Sequence, residues 1–124
     1  MIGAASEPQI MLDVSALTGT WKNTNTASRG VVRLDVAAEG NALRVTAVAG
    51  EPWGSTIAHP YSVDGFECRE ALAFNCTFNL KVLDVRFQAN IKAGVLVIAF
   101  LTQFHGENAS SRVFTREFYY RSEK

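Results

Sequence analysis

The sequence predicts an all-β fold: one domain of eight antiparallel strands that run up and down in chain order and close into a single β-barrel. Three observations lead there. After residue 16 the 3.6-residue helical period disappears. Eight short runs rich in Val, Phe, Tyr, Thr and Ile follow, each bounded by Gly, Asn, Asp, Pro or Ser, which is the pattern of strands and tight turns. The connections are short, so consecutive runs pair as hairpins, and closure removes the unpaired edges that an open sheet would leave exposed. The competing closure is a two-sheet sandwich.

Residues 1–15 read as an N-terminal arm, with a short helix around Gln9–Ala16, and residues 16–124 as the barrel domain. The expected strands are 19–24, 30–37, 42–49, 55–63, 70–78, 82–91, 95–104 and 111–120. The second and third can be set in register from the turn signal Glu39-Gly40. A loop centred there pairs Val36 with Leu43 and Leu34 with Val45, and places Asp35 opposite Arg44, so apolar residues meet on one face and an ion pair forms on the other. The fourth strand carries His59 and Tyr61 two residues apart, hence on one face with Ile57 and Val63, and Pro60 between them marks a bend or an edge near the rim. The sixth alternates strictly: Leu83, Val85, Phe87, Ala89 and Ile91 on one face, Asp84, Arg86, Gln88 and Asn90 on the other. The seventh, VLVIAFL, does not alternate, so both its faces are expected to be covered. With no helical outer layer, the expected cover is another copy of the chain, giving a homo-oligomer through strands 95–104 and 111–120. Val113, Phe114, Phe118, Tyr119 and Tyr120 add apolar surface there, and the alternative is a central sandwich strand.

Composition narrows the function classes. The chain has 124 residues, enough for one self-sufficient core. Twelve basic residues balance twelve acidic ones and are scattered, so no footprint for nucleic acid or an anionic membrane is expected. The longest apolar run, Val95–Leu101, is about a third of a bilayer span. No Lys or Arg precedes Lys22, and Glu7 and Pro8 interrupt the start, so a secretion signal is not expected and the location is read as cytoplasmic. Cys68 and Cys76 are accordingly expected to be free thiols, and the triplets Asn75-Cys76-Thr77 and Asn108-Ala109-Ser110 unglycosylated. His59 and His105 lack neighbouring ligands at metal spacing, so neither metal nor cofactor is expected. Arg33, Asp35, Arg44, Asp84 and Arg86 are expected to point outward, the alternative being a polar lumen.

Leu17-Thr18-Gly19-Thr20-Trp21 followed by Asn23 resembles the first strand of calycin barrels, the group of lipocalins, fatty-acid-binding proteins and avidins. The match to avidins implies that Asn23 and Thr26 are lumen residues holding the polar head of a ligand. The calycin likeness implies that Trp21 packs across the barrel bottom under a basic residue of the last strand, Arg116 or Arg121. Later strands depart from avidins: Phe100 stands near a place where they carry tryptophan, and Arg116-Glu117-Phe118 lacks their terminal aspartate, so biotin itself is not the expected ligand. Trp21-x-Asn23, Arg29-Gly30, Trp53-Gly54 and the tail from Ser111 to Phe118 are also similar to a group of uncharacterised bacterial β-domain proteins, a likeness that implies no activity.

An eight-stranded barrel encloses packed side chains or one small ligand. Three functions follow. The leading one is a small-molecule-binding barrel for an apolar ligand, with Asn23, Thr26, Tyr61 and Phe100 as binding residues. The others are an assembly module with a packed interior, and a cofactor-free enzyme of cyclase, isomerase or lyase type in which His59, Tyr61 or a buried carboxylate moves a proton.

Overall fold

The computed structural model describes residues 12–62, 69–106 and 112–122. Eight strands form one closed barrel in chain order: β1 Gly19–Asn23, β2 Arg33–Glu39, β3 Ala42–Val48, β4 Pro52–Tyr61, β5 Ala73–Asn79, β6 Leu83–Lys92, β7 Val95–Phe104 and β8 Arg112–Ser122. Every neighbour is antiparallel, and β8 returns to β1 through Trp21↔Arg121 and Asn23↔Tyr119. The expected barrel is the one observed. The strand ends at Val63 and Ser111, Cys68, the triplet at 108–110 and residues 1–11 of the arm lie outside the described residues.

The helix expected around Gln9–Ala16 is not formed by its described part. Residues 12–16 form a parallel bridge, Asp13 to Glu70, and then a turn. Asp13 N–H donates to Arg69 O and Ala71 N–H to Asp13 O. This tether holds Leu12 and Val14 against the core and sets Leu17, fully buried, across one end of the barrel.

The β2–β3 hairpin differs from expectation by two residues. Val36 pairs with Val45 and Ala38 with Leu43, around a two-residue loop of Gly40 and Asn41. Gly40 has φ of +60°, a left-handed value that glycine adopts without penalty at the first position of a tight hairpin loop. A loop centred one residue earlier would put Glu39 in that conformation. Because the slip is two residues, the inward and outward sets are unchanged. The Asp35–Arg44 pair is not formed: Arg44 binds Glu39 through Nε at 2.7 Å and Nη2 at 2.8 Å, and Asp35 accepts from Thr20 Oγ1 at 2.7 Å.

The β6–β7 loop breaks a local rule. Ala93 and Gly94 have φ of +55° and +82°, the two left-handed positions of a hairpin loop that favours Asn-Gly, and alanine carries a Cβ where asparagine or glycine is preferred. Ala93→Asn is therefore expected to raise stability by about 0.5–1 kcal/mol. The readout is the urea midpoint; an unchanged or lower midpoint contradicts the strain.

Inward side chains alternate as the period of two requires. Leu34, Val36, Leu43, Val45, Phe74, Phe78, Val85, Phe87, Leu96, Ile98 and Tyr119 are buried in one core. β7 is apolar on both sides because Leu96, Ile98 and Phe100 face the lumen while Val95, Val97, Ala99 and Leu101 face outward, Val97 and Leu101 beside Phe118 and Phe114 of β8. The sandwich alternative is thereby replaced by a barrel stave. Arg33, Asp35, Arg44, Asp84 and Arg86 occupy outward positions.

Candidate functional site

The two ends of the barrel differ. At the end where β1 begins, Trp21 is buried and its Nε1 donates to Leu17 O at 2.9 Å. The Arg121 guanidinium lies 4.5 Å from the centroid of the Trp21 ring and also donates to Ala16 O and Thr18 O. One cation thus ties the last strand to the turn preceding the first, over the face of the indole. Of the two candidates for this contact the structure selects Arg121. Arg116 has the opposite parity and faces outward beside Ala99, which corrects its expected role.

At the other end, inward-facing positions are open to solvent. Thr115 shares a face with the buried Phe100, yet Thr115 is exposed, and Val113, one rung further, is 46% exposed. One side of this mouth is aromatic. A register shift between β3 and β4 leaves Trp53 between the pairs Val48↔Pro52 and Ala47↔Gly54, and Gly54, with φ of +87°, absorbs the bulge. Such bulges re-aim a side chain, and here the Trp53 ring turns to Phe78 at 5.8 Å. The row continues from Phe78 to Phe87 at 5.0 Å, Phe87 to Phe100 at 4.8 Å and Phe100 to Tyr119 at 6.4 Å.

The other side is polar. Asn23 Nδ2 donates to Val31 O at 3.0 Å and to Glu117 Oε1 at 2.7 Å. Ser28 Oγ donates to the same carboxylate oxygen at 2.6 Å. Glu117 Oε2 lies against Gly30, so close that a Cβ there would stand 2.7 Å from it. The β1–β2 loop that delivers Ser28 is held by its own side chains: Asn23 Oδ1 accepts from Asn25 N–H, Asn25 Oδ1 from Ala27 N–H, and Ser28 Oγ from Gly30 N–H. These local bonds give the loop one conformation without a partner strand. Tyr119 OH donates to Val31 O at 2.7 Å, and burial, with the nearby Glu117 charge, pushes its pKa well above the ordinary phenol range, so it remains a donor.

The expected site residues separate. Asn23 and Phe100 both face the lumen, linked through Tyr119. Thr26 sits exposed in the β1–β2 loop, and the hydroxyl that reaches the carboxylate belongs to Ser28. Tyr61 pairs with the outward Ala73, so Tyr61 and His59 lie on the outer wall, away from the lumen positions expected for them. Glu117, Ser28 and Tyr119 were not singled out as site residues. The signal for Glu117 was parity: counting by two from Tyr119 brings Glu117, Thr115 and Val113 inward, but the stronger apolar residues of that strand, Phe114 and Phe118, point out and mask it. Cys76 is free and buried, with its thiol pKa pushed up to about 12 by desolvation, which makes it a small hydrophobe. Among the described residues no three His, Cys, Asp or Glu side chains are grouped to hold a metal.

Comparison of the chain with protein-family models, with curated proteins and with solved structures returns no match.

Proposed function

We propose that the chain is a calycin-like, small-molecule-binding barrel whose ligand enters at the β1–β2 and β7–β8 end. The observation that carries this is the make-up of one barrel end: the Asn23–Ser28–Glu117 network and the partly buried Trp53, which heads the buried row Phe78, Phe87 and Phe100, lie at the end where the inward Thr115 and Val113 meet solvent. A lumen site of this kind binds an apolar body along the rings and fixes its orientation with a few polar groups. The anchor is the half-buried Glu117 carboxylate, an acceptor, so the fitting ligand presents an N–H or O–H donor at its head. The Trp21–Arg121 closure of the opposite end supports the calycin reading.

A second reading concerns assembly. On the outer wall of β7 and β8, Leu101, Phe118 and Tyr120 are partly exposed and Phe114 is 63% exposed, a contiguous patch of the kind that marks interfaces. A homo-oligomer through this wall fits that surface. Of the proton carriers named for the cyclase, isomerase or lyase reading, His59 and Tyr61 lie on the outer wall, and the carboxylate on the lumen side is Glu117.

Native mass spectrometry of the chain from its natural source tests both readings. The expected result is a multiple of the chain mass carrying one small molecule per barrel, with the small molecule lost from Glu117→Gln. A chain without a bound molecule overturns the binding reading, and a monomer overturns assembly.

A further inference from the structure

We propose that the outer wall carries a second small-molecule site, a notch between Tyr61 of β4 and Asn90 of β6 that takes a small organic carboxylate with a flat apolar body. The notch follows from the register. Tyr61 pairs with Ala73, and Ala73 with Asn90, so the three form one transverse row on the outer face. Tyr61 and Asn90 are thus two strand spacings, about 10 Å, apart. Between them stands the small side chain of Ala73, itself fully buried. The resulting groove has a volume of about 510 Å³, within the range of small-molecule sites.

Its lining divides by chemistry. The half-buried Leu72 and Ile91, over the buried Ala73, give an apolar floor, Tyr61 one wall, and Gln88 and Asn90 the other. Lys92 closes the end next to the β6–β7 loop. Lys92 is exposed, and no carboxylate among the described residues pairs with it. The outward acid of the same strand, Asp84, lies at the far end of β6, where it holds His105 Nε2 at 3.1 Å.

An unpartnered ammonium at the end of an apolar slot selects an anionic head on an apolar body. A compact anion such as phosphate leaves the floor and the ring unused, and an amine meets like charge at Lys92. A carboxylate on a planar ring uses every wall: the head against Lys92, the ring face against Tyr61, and the amides of Gln88 and Asn90 at the edge. The groove lies at the β6–β7 end of the barrel, opposite the Asn23–Glu117 end, so it stands independently of the lumen reading.

The test is an amide proton–nitrogen NMR titration of the full chain with benzoate as the probe and benzyl alcohol as the neutral control. The expected result is saturable benzoate shifts centred on Tyr61, Ala73, Gln88 and Asn90. Lys92→Gln is expected to weaken benzoate at least tenfold, and benzyl alcohol to bind at least tenfold more weakly than benzoate. Because Lys92 is exposed and has no salt-bridge partner among the described residues, the spectrum of Lys92→Gln away from the groove should match the parent, which separates loss of binding from loss of fold. The proposal is overturned by the absence of saturable shifts at these residues up to about 10 mM benzoate, by shifts centred on Asn23 and Glu117 instead, or by an affinity unaffected in Lys92→Gln.

Discussion

Trp21→Ala is expected to remove about 3–5 kcal/mol of stability, the cost of emptying a buried indole site that its surroundings cannot refill. Against a typical domain stability of about 5–15 kcal/mol, that leaves the barrel marginal. Three contacts converge on the ring: burial against the core, the Nε1 donation to Leu17 O, and the Arg121 guanidinium over its face. Trp21→Phe separates them, since it keeps an aromatic face for Arg121 but loses the donor and part of the volume; a loss of about 1–2 kcal/mol is expected. Urea unfolding followed by circular dichroism measures both. A loss below about 1 kcal/mol for Trp21→Ala would show that the turn over residues 14–18 and the last strand close this end without the indole.

Phe87→Ala is the second large effect, again about 3–5 kcal/mol. Phe87 is fully buried at the middle of the aromatic row, between Phe78 and Phe100 and 6.4 Å from Trp53. Its removal opens a void on the lumen side of β6, where neighbouring rings are fixed by their own strands. Trp53→Ala is the informative comparison. Trp53 is larger than Phe87, but it stands at the mouth and is only partly buried, so its loss is expected to cost about 1–2 kcal/mol. Equal losses for the two variants would mean that the mouth is sealed and that the aromatic wall is not offered to a ligand.

These two effects bear on how the barrel divides its labour. The Trp21 end is shut by an apolar plug, a stacked cation and main-chain bonds, all of which favour rigidity. The Asn23 end instead keeps a carboxylate, a hydroxyl and exposed inward positions. On the proposed lumen reading, the closing contacts are concentrated at one end and the polar groups that would meet a lumen ligand at the other.

Much of this was legible in the sequence. Period-two alternation and turn residues determined the strand count, order and facing, because each depends only on neighbours within a few residues. Gly19, Trp21 and Asn23 marked the first strand, and their inward placement was what its likeness to calycin first strands implied. Register in the β2–β3 hairpin was not settled locally, since two loop centres satisfy the same apolar pattern and only the φ demand at Gly40 selects one. The polar network could not be read at all from local pattern: Glu117 meets Asn23 and Ser28 across 94 and 89 residues of chain, through closure of β8 on β1. The same closure chose Arg121 over Arg116, and strand pairing moved Tyr61 from the lumen to the outer wall. What depends on one strand's own periodicity was decided by sequence; what depends on which strands become neighbours was decided only when the barrel closed.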